Sequence, residues 1–221
     1  MEKQFDVIVA GGGPAGIAAA VSAARCGANT ALIERYGILG GMMTSGAVHP
    51  ILGNTAPNTM YQEVCALLNE GHENVPKDTT RNGSEIHVDP EEAKYRLLKL
   101  VCDSGVKLYL QTPIADVCKD GNRVTGVTVV TQDGLVTLNA KCVVDSTGDG
   151  FVAYRAGAEY HVGRESDGRC QPLSTEFTLE NVDEARAITC WGGSDPHRGF
   201  FRQGRCRQIH RHGKSRACPR L

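Results

Sequence analysis

Residues 5–34 read FDVIVAGGGPAGIAAAVSAARCGANTALIE, and this stretch decides the fold. The apolar run Phe5–Ala10 is typical of a buried strand. The alanine-rich segment from Pro14 to Cys26 predicts a closely packed helix, with Gly27 as its left-handed stop. A second strand is predicted over Thr30–Glu34. The stretch therefore predicts a strand, a tight turn, a helix and a second strand, which is a βαβ unit.

Three glycines at the turn match the G-x-G-x-x-G pattern that dinucleotide-binding proteins place between strand and helix. Gly11 permits the sharp turn, Gly13 permits close approach of a pyrophosphate, and Gly16 permits tight helix–strand packing. Pro14 and Ala15 begin the helix, whose N-terminal N–H groups and positive dipole end favour phosphate oxygens. The glycines alone also fit an ordinary βαβ turn without a nucleotide, but both strands and the helix fall in register with the pattern.

Glu34 ends the second strand, 18 residues after Gly16. A carboxylate there can accept hydrogen bonds from ribose hydroxyls, and its charge repels a 2'-phosphate. NADP is therefore disfavoured, while NAD and FAD both remain open. The glycine-dense loop over residues 35–46 predicts backbone contact with the cofactor, with a plain connecting loop as the alternative.

Further helices are predicted at three places in the chain. One covers Met60–Asn69. A second begins at Pro90, has Asp89 as its N-cap and continues to Gly105. A short third helix covers Phe151–Ala156. Because these helices alternate with predicted strands, the fold class is α/β, a Rossmann-like domain with a parallel sheet.

An antiparallel β-meander is predicted between Ile114 and Leu138. Three alternating runs are separated there by Lys-Asp-Gly-Asn and Gln-Asp-Gly, which are hairpin turn signals. A separate buried strand from Lys141 to Asp145 follows, and it ends in the small-residue turn Ser-Thr-Gly-Asp-Gly.

Composition restricts the class of protein. The chain has 221 residues and nine cysteines, without any Cys-x-x-Cys pair, which argues against a redox dithiol. No run of 18 apolar residues indicates a membrane helix. The first strand begins so early that a signal peptide has no room, so the sequence predicts a cytoplasmic protein.

The last part of the chain differs in charge from the rest. Residues 190–221 contain eight Lys or Arg and one acid, which leaves 16 basic and 24 acidic residues before them. A basic nucleic-acid arm is one interpretation, but no aromatic stacking pattern accompanies the charge. A zinc site would have a Cys-x3-His-x-His-x5-Cys spacing that matches no known module, so we predict no metal. We favour an out-of-frame extension of the chain.

The order of these parts resembles the FAD-dependent oxidoreductases with a glutathione-reductase type of flavin-binding domain. More narrowly, the chain resembles a bacterial group of these proteins that has a Gly-Gly-Met-x-Thr loop. The motifs that carry this resemblance are Ile33-Glu34-Arg35, Gly40-Gly41-Met42-x-Thr44 and the strand ending in Asp-Ser-Thr-Gly-Asp-Gly. The similarity runs from residue 5 to about 182. It favours FAD over NAD, and it implies that the chain is truncated.

The resemblance also implies roles for particular residues. The turn Thr147-Gly148-Asp149 would approach the flavin side of FAD, and the backbone of Ile114 would touch the adenine. The full set of expected cofactor residues is Gly11, Gly13, Pro14, Ala15, Gly16, Glu34, Arg35, Gly40, Gly41, Met42, Thr44, Ile114, Thr147, Gly148 and Asp149. His49, just after the glycine-dense loop, is the candidate catalytic residue because it could donate a proton or polarise a substrate.

These observations predict three segments and one main function. Residues 1–157 form the FAD-binding domain, 158–189 begin an incomplete substrate or cap domain, and 190–221 are an unpatterned basic tail. The expected function is electron transfer between FAD and a small-molecule substrate or acceptor, in a chain whose truncation could leave it inactive. The alternatives are a non-catalytic nucleotide-binding fragment that needs a partner chain, and nucleic-acid binding through the tail.

Overall fold

The computed structural model describes residues 3–48, 50–52, 59–71, 85–170, 175–179 and 207–211. The chain divides into two units, Met1–Glu159 and Tyr160–Leu221. The strands of the first unit are β1 Gln4–Ala10, β2 Thr30–Ile33, β3 Pro50–Leu52, β4 Glu85–His87, β5 Lys107–Tyr109, β6 Ile114–Asp120, β7 Arg123–Thr131 and β8 Gly134–Asp145. Its helices are α1 Pro14–Arg25, α2 Met60–Asn69, α3 Pro90–Asp103 and α4 Phe151–Ala156, with a 3-10 turn at Gly41–Met43.

Six of these strands form one sheet, in the order β5-β2-β1-β8-β7-β6. The strands β5, β2, β1 and β8 are parallel to one another, whereas β8, β7 and β6 form an antiparallel meander. Helix α1 connects β1 to β2, as the βαβ pattern predicts. The α/β Rossmann-like fold expected from the sequence is confirmed.

Strand β8 differs from the prediction. The sequence indicates one meander strand to Leu138 and a separate strand from Lys141, but the structure has a single strand over Gly134–Asp145. Its first part pairs with β7, and its second part pairs with β1. Asn139 lies opposite Gly126 of β7 and opposite Gln4 of β1, so the two pairings overlap at this residue and the strand continues without a break. Strands β3 and β4, which pair with each other, were not predicted.

The apolar core lies on both faces of the sheet. Alternate residues of a strand point to opposite faces, so Val9 and Leu32 join one cluster while Ile8 and Ile33 join the other. The first cluster is completed by helices α1 and α3. The second joins β1 and β2 to the buried residues of the meander. The βαβ unit is therefore covered on both sides, which gives the turn at its centre a rigid support.

The helix ends follow the sequence signals. The side chain of Asp89 accepts hydrogen bonds from the backbone N–H groups of Glu91 at 2.9 Å and Glu92 at 3.0 Å, which caps α3 as predicted. Helix α2 has the predicted bounds. Helix α4 also has the predicted bounds and ends at Gly157, whose φ of 87° is left-handed.

The second unit contains two paired strands, β9 Thr175–Leu179 and β10 Arg207–Arg211, which are antiparallel. Strand β9 lies within residues 158–189, the segment predicted to begin a substrate or cap domain. Strand β10 lies inside the basic segment 190–221, which lacks an apolar period. Backbone hydrogen bonds to a neighbouring strand do not require an apolar period in the sequence, which is why the pattern alone missed it.

Candidate cofactor site

Three strand ends meet at one edge of the sheet. Ala10, the last residue of β1, lies beside Ile33 of β2 and beside Asp145 of β8 in the registers of the two strand pairs. These strands are parallel, so their carboxyl ends point the same way. The glycine turn, the residue Glu34 and the turn at 146–150 therefore all leave the sheet together. In open α/β sheets, ligands bind in the crevice outside these carboxyl ends.

The three fingerprint glycines have distinct environments. Gly11 has a φ of 98°, and a Cβ on it would lie 2.4 Å from the carbonyl oxygen of Ser146. A Cβ on Gly16 would lie 1.8 Å from the carbonyl oxygen of Gly11, so helix and turn are in direct contact. A Cβ on Gly13 would meet no atom of the described residues within 4 Å. Packing within the protein therefore requires glycine at 11 and 16, whereas Gly13 faces open space that a ligand can approach.

The N-terminus of α1 is open toward the same edge. Gly13 is the N-cap, Pro14 occupies the first turn, and neither a capping side chain nor an acidic residue is present in that first turn. Pro14 and Ala15 are exposed. Backbone N–H groups and a positive dipole end are therefore directed at the crevice, where they suit the pyrophosphate of a dinucleotide. The residues present fit such a group.

Glu34 makes contacts that the sequence did not predict. The side chain is only 7% exposed. One carboxylate oxygen accepts a hydrogen bond from the N–H of Gly12 at 2.6 Å, and the other accepts from the N–H of Tyr36 at 2.8 Å. The carboxylate thus ties the glycine turn to the loop that follows β2. Each oxygen has a further lone pair, so acceptance from ribose hydroxyls remains compatible with these bonds.

The Gly-Gly-Met loop packs directly on the glycine turn. The N–H of Gly40 donates to the carbonyl oxygen of Gly12 at 2.9 Å. A Cβ on Gly41 would lie 3.0 Å from the Cα of Gly13. Gly40 and Gly41 both have positive φ values, 107° and 52°. The loop therefore reaches the fingerprint by its backbone, at positions where side chains do not fit.

Two other residues of that loop have contrasting positions. The hydroxyl of Thr44 is buried and donates to the carbonyl oxygen of Leu39 at 2.6 Å, so its proton closes the loop. Met42 is 58% exposed. The structure thus gives Thr44 a local partner within the loop. The catalytic candidate His49 lies outside the described residues.

The segment before the meander lies beside Glu34. The backbone N–H of Thr112 donates to the carbonyl oxygen of Glu34 at 2.9 Å, and that of Gln111 donates to Tyr36 at 3.0 Å. Ile114 begins β6 two residues later and pairs with Val129. These bonds bring the predicted adenine-contacting residue to the same end of the crevice as Glu34. Arg35, next to Glu34, has its guanidinium 4.8 Å from the ring centroid of Tyr36.

The turn after β8 is held by Asp145, a residue that the sequence analysis did not include in the site. One of its carboxylate oxygens accepts from the N–H and the hydroxyl of Thr147, at 3.0 and 2.8 Å. The other accepts from the N–H of Ala153 at 2.8 Å. Gly148 and Asp149 are exposed at the tip. In the sequence, the feature that could have identified Asp145 is its position as the last residue of a buried strand, directly before small residues.

A groove of about 690 Å³ lies elsewhere, along α1, α2 and α3. Its cations Arg25, Arg96 and Lys99 each pair with a carboxylate, so they are engaged within the protein. No residue of the crevice lines it. Within the described ranges, no three His, Cys, Asp or Glu side chains are placed to hold a metal ion. No helix in the part of the chain that the structure describes is both long and apolar enough to span a bilayer.

The fold and the crevice define a Rossmann-like dinucleotide-binding protein. The sequence model of the FAD dependent oxidoreductase family matches residues 6–216, and the chain belongs to that family. The expected cofactor, FAD, and the expected oxidoreductase family are thereby confirmed. The matched span extends into the basic segment, up to residue 216.

Several characterised proteins are similar in sequence. The tRNA uridine 5-carboxymethylaminomethyl modification enzyme MnmG of Aquifex aeolicus is 33% identical over 185 residues, which cover 77% of this chain and 29% of that protein. The thiamine thiazole synthase of Methanothermobacter thermautotrophicus is 30% identical over 183 residues, 76% of this chain and 66% of that protein. The chain thus spans from under a third to about two thirds of the length of these relatives.

Solved structures share the fold. A geranylgeranyl bacteriochlorophyll reductase-like protein from Thermoplasma acidophilum superposes with a TM-score of 0.60 at 18% identity, covering 95% of this chain and 57% of that one. The THI4 protein of Thermovibrio ammonificans has a TM-score of 0.53 at 25% identity, covering 73% of this chain and 67% of that one. These neighbours support the Rossmann-like fold.

Proposed function

We propose that this chain forms the cofactor-binding part of an FAD-dependent oxidoreductase that passes electrons between the flavin and an unidentified small substrate or acceptor. The observation that carries the proposal is the alignment of three strand ends, at Ala10, Ile33 and Asp145. This alignment brings an anion site, a buried carboxylate and an exposed small-residue turn to one crevice. The unit Met1–Glu159 supports a cofactor domain of residues 1–157.

Each part of FAD has a corresponding part of the crevice in this proposal. The adenosine lies at the end of β2, near Glu34, Arg35 and the backbone of Ile114. The pyrophosphate lies at the start of α1, between Gly13 and the loop at Gly41. The flavin half extends toward β8. The proposed contact residues are Gly11, Gly13, Pro14, Ala15, Gly16, Glu34, Arg35, Gly40, Gly41, Met42, Thr44, Ile114, Thr147, Gly148 and Asp149.

Bound FAD supplies the redox chemistry, since flavins carry a hydride or electrons. The residues of this chain bind and orient it. Backbone N–H groups at the start of α1 neutralise the pyrophosphate charge, and Glu34 keeps the glycine turn and the next loop together around it. His49 stays a candidate for proton donation to a substrate. The small-molecule nature of the substrate or acceptor and a cytoplasmic location also stay predictions.

A charge substitution at the helix N-terminus tests the cofactor assignment. Ala15 is exposed in the first turn of α1, where an acidic residue stabilises a helix by about 0.3–1 kcal/mol. We therefore expect Ala15→Glu to keep the unliganded fold while it repels the pyrophosphate. Ala15→Gln is the matched control, because it has the same length without the charge.

The measurement is titration of FAD, NAD and NADP into the purified wild type and both variants, followed by absorbance and flavin fluorescence. The wild type should bind FAD and should bleach when a chemical reductant is added. Ala15→Glu should bind FAD at least tenfold more weakly than Ala15→Gln, and added salt should reduce this difference. A wild type that binds no FAD, or two variants with equal affinity, would contradict the proposal.

A second candidate follows from the partial coverage of the relatives. The chain would then bind FAD but would exchange electrons only with a partner polypeptide that completes the site. In that case the wild type binds FAD, and a small reductant bleaches the bound flavin. The chain by itself, however, does not pass electrons from the reduced flavin to any acceptor tested. Steady reoxidation by a soluble acceptor such as a quinone or a dye favours the first candidate.

A further inference from the structure

The structure assigns a role to Asp145: we propose that it is a positioning residue that holds the turn at residues 146–150 in place for the flavin half of FAD. This inference rests on the proposed function, and it adds a residue that does not itself touch the cofactor.

The order of strands gives the direction in which the cofactor extends. Strand β1 lies between β2 and β8 in the sheet. The adenosine end is assigned to β2 through Glu34, and the pyrophosphate is assigned to the turn after β1. Neighbouring strands are about 4.8 Å apart, so a dinucleotide that continues past β1 reaches the end of β8 within about 5 Å. The turn that follows Asp145 is the structure at that position.

The turn is also joined to the pyrophosphate site. A Cβ on Gly11 would lie 2.9 Å from the Cα of Thr147, and the N–H of Ser146 donates to the carbonyl oxygen of Ala10 at 2.8 Å. The first half of the turn is therefore packed against the fingerprint. Its second half has no such packing among the described residues, because a Cβ on Gly148 or on Gly150 would meet none of their atoms within 4 Å.

Hydrogen bonds to Asp145 hold the part of the turn that packing does not hold. Its carboxylate accepts three hydrogen bonds, two from Thr147 and one from Ala153. The hydroxyl of Thr147 in turn accepts from the N–H of Phe151 at 2.9 Å. These bonds link the last residue of β8 to the middle of the turn and to the start of α4. The backbone of the exposed tip, with two left-handed glycines at 148 and 150, is thus held at both ends.

The arrangement assigns the support of the turn and the contact with the ligand to different residues. A carboxylate already engaged by three donors has little capacity for a ligand. The exposed residues Gly148 and Asp149 have no such engagement among the described contacts and face solvent at the tip. Asp145 therefore acts through the turn, and the tip makes the contact with the flavin half.

The test compares FAD with ADP, which contains only the adenosine and pyrophosphate portion. Wild type, Asp145→Ala and Asp145→Asn are titrated with both ligands. We expect Asp145→Ala to keep the ADP dissociation constant within about twofold and to raise the FAD dissociation constant at least tenfold. Asp145→Asn should lie between, because an amide oxygen can still accept from Thr147 while the amide nitrogen cannot accept from Ala153.

Asp133 provides a matched control, because it lies just before the first residue of β8 whereas Asp145 is the last. It is exposed in the turn before β8, and a strand of this length separates it from Asp145 by about 35 Å. Asp133→Ala should leave both dissociation constants unchanged. The visible flavin absorption bands of the bound cofactor are recorded in parallel, and Asp145→Ala should shift them toward those of free FAD.

The outcomes separate the inference from the proposed function. Equal loss of ADP and FAD affinity in Asp145→Ala would show general damage to the domain and would overturn the positioning role. Unchanged FAD affinity in Asp145→Ala, with a wild type that binds FAD, would also overturn it and would leave the proposed function intact. A wild type that binds ADP and FAD equally would show that the turn contributes nothing. A wild type that binds neither ligand would refute the proposed function itself.

Discussion

The same substitution at two glycines of one turn should affect two different properties, cofactor binding at Gly13 and stability at Gly16. Gly13→Ala places a methyl group where no atom of the part of the chain that the structure describes lies within 4 Å, whereas Gly16→Ala places it 1.8 Å from the carbonyl oxygen of Gly11. The first change therefore acts on the ligand and the second on the fold. Both variants add a single methyl group, and the two positions are three residues apart. A difference between the variants therefore reflects the surroundings of each glycine.

The effect of Gly13→Ala on the unliganded protein is small. Its φ of −72° and ψ of −178° suit any residue. Alanine reduces the entropy of the unfolded chain, which stabilises by about 0.4–1 kcal/mol. It is a poorer N-cap than glycine, by about 0.5 kcal/mol. These contributions nearly cancel, so we expect the melting temperature to change by no more than about 2 °C.

Gly16→Ala requires the helix to move away from the turn by more than 1 Å, since real Cβ atoms do not approach closer than 3.0 Å. Overpacking of this kind costs about 1–3 kcal/mol. For a domain of this size, the melting temperature should fall by about 2–12 °C. The loss should occur in the absence of any cofactor.

The assay is thermal unfolding of the unliganded variants, together with FAD titration of the folded ones. Gly13→Ala should weaken FAD binding at least tenfold, which corresponds to about 1.4 kcal/mol. Wild-type FAD affinity in Gly13→Ala would refute the argument that this glycine is reserved for a ligand. A strong loss of stability in Gly13→Ala, or none in Gly16→Ala, would refute the geometry of the turn.

Two further predictions concern stability. Arg25 holds the pKa of the Glu63 carboxyl below its ordinary value of 4.5 through a hydrogen-bonded ion pair. The contribution of this ion pair to stability is therefore fully present above pH 4.5, and it is lost as the pH falls through the lower pKa of Glu63 in the folded protein. In urea unfolding, Glu63→Gln should therefore be less stable than the wild type by about 0.5 kcal/mol at neutral pH. In strong acid the two proteins should be equally stable. Asp89→Ala removes the α3 cap and should lower stability by about 1 kcal/mol, whereas Asp89→Asn should retain most of it; equal melting temperatures would contradict the cap.

Local sequence signals predicted the elements that depend on near neighbours. The N-cap Asp89 and the left-handed Gly157 mark helix ends, since each works through contacts within a few residues. The glycine turn was identified for the same reason. Strand β8 was divided wrongly because its two halves pair with different strands, and pairing of that kind depends on distant parts of the chain.

The site was predicted less completely than the fold. The contact of Thr44 with the cofactor stays a prediction, and its hydroxyl donates to the carbonyl oxygen of Leu39, a partner that sequence spacing does not reveal. Asp145 was left out of the site, although it accepts three hydrogen bonds in the turn after β8. In both cases, the direction of the side chain depends on a loop conformation that no local pattern encodes.

The sequence by itself determined the glycine turn, the helix that follows it and the acid at the end of β2. These features follow from the conformational freedom of glycine and from the period of apolar residues. Only the tertiary structure decided that Ala10, Ile33 and Asp145 end side by side. Their register is set by the packing of both faces of the sheet, and Asp145 lies so far along the chain from Ala10 that no local pattern could specify it.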